Sequence, residues 1–211
     1  TSKKFLVAGA GKSGIGSVNL LLKTGADVSL YDGNEELDKE ALFEKLYEKK
    51  EISLVLGNIT KEDIEKYDLL VLSPGISVNA PIAQMFYDQE KPVWSEIELA
   101  YQASKGKIAA ITGTNGKTTT TALTGEIMKG YYESSFVVGN IGIPYTSVAL
   151  DTQENSVITA EISSFQLETI VDFKPDVCAV LNITPDHLDR HGTVEVYAKT
   201  KESIGKNQTK D

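Results

Sequence analysis

Short apolar runs recur along the chain at residues 5–8, 28–31, 52–56 and 69–72, and again at 108–111, 136–138, 157–160 and 177–181. Each has the length of a strand and is too short for a typical helix. Polar stretches with helical character separate the first four, residues 35–50 among them, and the spacing of Ile15, Val18, Leu21 and Leu22 predicts a helix after Gly14. Strands alternating with helices imply parallel sheets covered by helices, an α/β fold. A helix is predicted over 96–103, and Ser104-Lys105-Gly106-Lys107 after it reads as a hinge. A boundary is therefore expected near residue 104, with one domain over 1–104 and a second over 105–211. The alternative is a single continuous sheet.

Polar, glycine-rich segments follow several of these runs. Gly9-Ala10-Gly11-Lys12-Ser13-Gly14 is a G-x-G-x-x-G turn, whose N–H groups and helix dipole favour an anion. Asp32 ends the second run, where an acidic side chain accepts from a ribose hydroxyl or a base N–H. Ser73-Pro74-Gly75 follows the fourth, at the strand end where such sheets bind ligands, although a plain turn fits it equally well. This is a Rossmann-like pattern, and it raises the alternative of a nicotinamide-dinucleotide-binding regulatory module. Nothing downstream resembles a hydride-transfer site.

The stronger signal lies in the second series. Gly113-Thr114-Asn115-Gly116-Lys117-Thr118-Thr119 forms a phosphate cradle: the glycines let backbone N–H groups turn inward, Lys117 reaches the terminal phosphates, and the Thr118 hydroxyl suits magnesium. Ile111 stands where the usual P-loop spacing asks for a glycine, so only the second half of that pattern is matched. The competing reading is a Gly-Asn turn that happens to contain a lysine. Four consecutive threonines, Thr118 to Thr121, are poor helix starters, which favours a use for their hydroxyls. Glu161 ends another strand, in a position suited to magnesium or to a surface carboxylate. Asn140, between glycines, suits close ligand approach or a turn. Both histidines of the chain, His187 and His191, fall in one polar loop after residue 181.

Composition narrows the classes. A net charge of −9, from 21 basic and 30 acidic side chains, leaves no basic stripe for nucleic acid. No run approaches the ~18 apolar residues of a membrane span, and residues 1–9 lead into a strand rather than a signal peptide. The one cysteine, Cys178, excludes a disulfide within the chain and is expected to be a buried, inert thiol. A cytoplasmic protein is expected.

Gly-Thr-Asn-Gly-Lys-Thr, Gly139-Asn140-Ile141-Gly142, residues 161–168 (Glu-Ile-Ser-Ser-Phe-Gln-Leu-Glu) and residues 182–189 (Asn-Ile-Thr-Pro-Asp-His-Leu-Asp) together resemble the Mur ligase family. The likeness covers essentially the whole chain and is nearest to members that add D-glutamate to UDP-N-acetylmuramoyl-L-alanine, with another amino-acid ligase of the same family as the alternative. It implies an ATP-dependent ligase acting through an acyl phosphate, with UDP rather than NAD on the first domain and part of a P-loop ATPase-type domain after it. It further implies Gly113 to Thr119 and Lys117 on ATP, and Thr118 and Glu161 on magnesium, with His187 at a second magnesium. Lys12, Ser13, Asp32, Ser73, Pro74, Gly75, Asn140 and His187 would line the site of the UDP-sugar. Lys201, four residues after Tyr197, corresponds to a lysine the family carbamylates into a metal-binding carboxylate. Lys117, His187 and Lys201 are thus the expected catalytic residues, in a monomer acting on small molecules. Members of the family are longer, with a further α/β domain, so the chain is expected to be an inactive piece.

Overall fold

The computed structural model describes residues 3–140 and 142–209; Ile141, inside the Gly-Asn-Ile-Gly motif, lies outside them. The first half comprises β1 (Lys4–Ala8), α1 (Lys12–Lys23), β2 (Asp27–Asp32), α2 (Lys39–Phe43), β3 (Ser53–Leu56), α3 (Lys61–Ile64), β4 (Leu69–Leu72), α4 (Pro81–Asp88), β5 (Val93–Ser95) and α5 (Glu96–Ala103). The second comprises β6 (Lys107–Thr112), α6 (Lys117–Lys129), β7 (Ser135–Gly139), β8 (Val157–Glu161), α7 (Ser164–Leu167), β9 (Val177–Val180), α8 (Leu188–His191) and α9 (Val194–Glu202). The strands form two sheets rather than one, ordered β3-β2-β1-β4-β5 and β7-β8-β6-β9. All pairings are parallel: Val7 lies opposite Leu30 and Val71, and Ala110 opposite Ala160 and Cys178.

Burial follows the sequence pattern. The Leu-Leu-Val-Leu of β4 is buried throughout, as an inner strand of a parallel sheet covered on both faces requires. Helix α1 turns Val18, Leu20, Leu21 and Leu22 inward, and Ser95 caps α5 by accepting from Glu98 N. One apolar core joins Val7, Leu30 and Val71 to Ile108, Ala110 and Ile158, with Ile97, Ala100 and Tyr145 also in it.

Several expectations change. Residues 35–50 hold only the short α2 and one 3-10 turn, because Leu42 and Leu46 alone are buried there and too little apolar contact supports further turns. Glu48 and Lys49 also adopt positive φ, 55° and 50°. Segment 104–107 is tied down rather than free: Ser104 Oγ pairs with Tyr145 OH at 2.6 Å, Lys105 N donates to Thr152 Oγ1 at 2.8 Å, and Lys107 N donates to Ser156 O. Cys178 is only partly buried, since β9 is an edge strand, and its Sγ lies 3.3 Å from Gln208 Oε1. Desolvation still raises the thiol pKa. Among the described residues no helix is long and apolar enough to cross a membrane.

Candidate functional site

Parallel strands bring the polar segments to one end of each sheet. In the first sheet β1 and β4 are neighbours whose connections leave in opposite directions, a switch point of the kind where ligands bind. A cleft of about 420 Å³ opens there. Lys12, Ser13, Asp32, Ser73, Pro74, Gly75 and Asn140 all line it, so seven of the eight residues expected on the first ligand converge, six from the first half of the chain and Asn140 from β7's end, whereas His187 lines a separate cavity. Gly14 is needed for this turn, because a Cβ there would lie 1.8 Å from Gly9 O. Asp32 does more than face the cleft: Oδ2 accepts from Ala10 N at 2.8 Å and Oδ1 from Asn34 N at 2.9 Å, which fixes the glycine turn. Lys12 Nζ donates to Gly142 O, linking the two halves at the rim.

A second cavity, of about 200 Å³, lies at the carboxyl end of the other sheet and is lined by Lys117, Asn140, Ser163, Ser164, Phe165, His187, Tyr197 and Lys201. Asn140 borders both spaces, so they meet at one side chain. The turn before α6 depends on Gly116, whose φ of 82° is left-handed. Lys117 Nζ reaches back over this turn to Gly113 O and Thr114 O, both at 2.9 Å. The inward-facing amides expected over the whole cradle are found only in part. Thr114 N donates to Asn182 O and Asn115 N to Asn182 Oδ1, so those two amides fix the loop instead of facing a ligand. Asn182 Nδ2 returns a bond to Asn115 O at 2.9 Å.

Thr118 and Glu161 do not line the cavity. Thr118 is exposed in the first turn of α6. Glu161 is 2% exposed at the end of β8, where Asn140 Nδ2 approaches Oε1 at 3.4 Å. Lys201 is 1% exposed, with Nζ 3.4 Å from Thr112 Oγ1 and 4.7 Å from the Tyr197 ring centre. Burial, and then the neighbouring Lys117 charge, bring its pKa down to about 8, against a smaller opposing effect of Asp186. His187 is exposed with a positive φ of 50°, its ring 4.9 Å from that of Phe165 and its Nε2 3.5 Å from Asp186 Oδ2.

Five partnerships escaped the sequence reading. Glu168 takes the guanidinium of Arg190 and lies 3.6 Å from His191 Nδ1, while His191 Nε2 pairs with Ser164 Oγ at 3.0 Å. Burial lowers the His191 pKa, opposed by Glu168 and reinforced by Arg190. Arg190 also reaches the loop after β4, and Gln166 Nε2 donates to buried Glu96 Oε1 at 2.6 Å. Each joins residues 22 or more apart; Ser164, Gln166 and Glu168 lie in one polar motif and Arg190 and His191 directly after another, but nothing in the sequence pointed to Pro74, Ile76 or Glu96 as their partners.

Two parallel sheets, one with a glycine-rich turn and the other with a lysine-bearing phosphate-type loop at its carboxyl end, define an α/β protein of two sheets whose ligand-sized spaces share Asn140. Comparison with known families makes this specific. The family described as Mur ligase MurD-like, N-terminal domain, matches residues 3–95, and the Mur ligase middle domain matches residues 111–211. The chain belongs to the Mur ligase family. It is 57% identical over 209 residues to UDP-N-acetylmuramoylalanine--D-glutamate ligase of Lachnospira eligens and 55% identical to the same-named protein of Lachnoclostridium phytofermentans, in each case over 99% of this chain and 46% of the relative. The chain thus spans about half the length of the curated relatives it matches. Among solved structures, UDP-N-acetylmuramate-alanine ligase from Thermotoga maritima superposes with a TM-score of 0.57 at 22% identity, over 98% of this chain and 47% of that one, a likeness of fold.

Proposed function

We propose that the chain carries the UDP-sugar site and much of the ATP site of a ligase that joins D-glutamate to UDP-N-acetylmuramoyl-L-alanine. The supporting observation is the meeting of the two spaces at Asn140, beside a sequence 57% identical to a ligase of that name. In this reading residues 1–104 form the UDP-sugar domain and residues 105–211 part of the ATPase domain. The cleft holds the uridine diphosphate against the Gly9–Gly14 turn, with Asp32 on the nucleoside and Lys12 and Ser13 on the diphosphate. Ser73, Pro74 and Gly75 form its floor, and the muramoyl-alanine arm runs past Asn140 into the cavity.

There the alanyl carboxylate attacks the γ-phosphorus of ATP, breaking the bond to ADP and giving an acyl phosphate. The amine of D-glutamate then attacks the acyl carbon, forming the amide and releasing phosphate and a proton. Positioning and charge compensation account for the protein's share of the rate. Lys117 exchanges its two loop carbonyls for phosphate oxygens, the amides of Gly116 to Thr119 face the triphosphate, and Asn140 orients the carboxylate.

The donors suit magnesium with one condition. Glu161 is a buried carboxylate with no cation within salt-bridge distance among the described residues, and Thr118 offers a hydroxyl near the loop lysine. No three His, Cys, Asp or Glu side chains converge among the described residues, which fits an ion that takes one or two protein ligands and completes its shell with phosphate and water. Lys201 as an ammonium cannot ligate a cation. Its pKa of about 8 leaves a fraction of neutral amine at pH 7 to react with carbon dioxide, and the resulting carbamate supplies an anion for the second ion beside His187. When bound, the ions offset negative charge on the transferring phosphoryl group. A monomer in the cytoplasm, where ATP and nucleotide sugars are available, completes the reading.

Calorimetric titration with UDP-N-acetylmuramoyl-L-alanine tests this. Saturable binding that NAD does not displace supports it, and binding of NAD in its place refutes it.

A further inference from the structure

Arg190 touches both binding regions from behind. It sits in α8, three residues after His187, and is 11% exposed. Its Nη1 donates to Pro74 O and its Nη2 to Ile76 O, both at 3.0 Å, across more than a hundred residues of sequence. Its Nε donates to Glu168 Oε2 at 3.1 Å, and its guanidinium carbon lies 4.3 Å from the centre of the Phe165 ring. Pro74 and Ile76 line the cleft, whereas Phe165 and His187 line the cavity.

We propose that Arg190 is a positioning residue that couples the two sites, by holding the carbonyls of the cleft loop and the Phe165–Glu168 face of the cavity in one rigid fork. A planar guanidinium spans two carbonyls and a carboxylate at fixed angles. A ligand that orders the loop at 74–76 therefore orders the carboxylate and ring on the other side of the fork, and with them the backbone of the His187 loop. The ordering already done for one ligand need not be repeated for the other, so each tightens the other by the same factor. Nothing in this role requires Arg190 to touch a substrate. The inference rests on the functional reading above for the identity of the two ligands.

The test is a pair of calorimetric titrations on the 211-residue chain: the magnesium complex of a non-hydrolysable ATP analogue, with and without saturating UDP-N-acetylmuramoyl-L-alanine. In the native chain the sugar is expected to tighten the analogue about fivefold or more. In Arg190→Lys, which keeps the charge but cannot span the three acceptors, that factor should fall to one while each ligand alone still binds within about threefold of native. A merely structural arginine would instead weaken both ligands and leave the factor unchanged. Should Arg190→Lys unfold, Glu168→Gln retains an acceptor for Nε and is expected to lower the factor in the same way. Binding of both ligands with an unchanged factor in the folded variant, or a factor of one in the native chain, overturns the coupling alone. Failure of either ligand to bind the native chain overturns the functional reading and the coupling with it.

Discussion

Glu96 gives the sharpest stability prediction. Its side chain is 1% exposed at the start of α5; Oε1 accepts from Gln166 Nε2 at 2.6 Å, while Oε2 has no partner among the described residues. Desolvation outweighs the Gln166 bond and the backbone bond of Ile97 and raises the pKa from 4.5 to about 7. The folded state therefore binds more protons than the unfolded one between those values. The acid form's contribution is complete below pH 4.5 and lost as pH rises through 7, a swing of about 3 kcal/mol. Glu96→Gln removes the ionisation and keeps an acceptor for Gln166, but puts an amide nitrogen where Oε2 lacks a partner. The net gain should accordingly be about 1–3 kcal/mol at pH 8, or roughly 2–12 °C in Tm, and should fall by about 3 kcal/mol, to between zero and a loss of about 2 kcal/mol, near pH 4.5. Thermal unfolding of both proteins from pH 4.5 to 8.5 measures it. A Tm difference that stays constant across the series, or a variant less stable at pH 8, would refute the argument. The site has a stake in the outcome, because Gln166 also accepts from Ser163 N and Oγ at the cap of α7, the helix that presents Ser164 and Phe165 to the cavity.

Other predictions follow the same logic. Lys117→Ala should weaken a magnesium-nucleotide complex about tenfold or more, read by calorimetry, with little change in Tm, since among the described residues the lysine's hydrogen-bond partners are its own loop carbonyls. Gly14→Ala should cost about 2 kcal/mol or more in urea unfolding and abolish sugar binding, because the new methyl meets Gly9 O at 1.8 Å. Lys201→Met should stabilise the unmodified chain by up to about 3 kcal/mol below pH 8. The unfolded state alone stays fully protonated between 8 and 10.5, so that gain should fade across this window in thermal melts at graded pH.

The sequence made the local chemistry legible more readily than the tertiary contacts. Eight strands are expected and form close to where their apolar runs lie, and seven of the eight residues expected at the first ligand share one cleft because each lies at or just after the end of a parallel strand, while His187 lies in the other cavity. The strand at 93–95 was missed, since three residues carry no periodicity and its place depends on pairing with β4. The helix at 35–50 was overextended because local pattern did not reveal how little of it would be covered. The bonds from Asn182 to the phosphate-type loop, and from Arg190 to Pro74 and Ile76, follow only from how the chain folds back on itself. The role suggested for Lys201 came from resemblance alone, whereas its burial and lowered pKa are properties of the fold.

Diffraction from crystals soaked with UDP-N-acetylmuramoyl-L-alanine and the magnesium complex of a non-hydrolysable ATP analogue would test the central claim most directly. The account predicts uridine diphosphate on the Gly9–Gly14 turn, phosphates at Lys117 and the Gly116 to Thr119 amides, and the alanyl carboxylate beside Asn140. Phosphates bound elsewhere, or the two ligands in spaces that do not meet at Asn140, would contradict it.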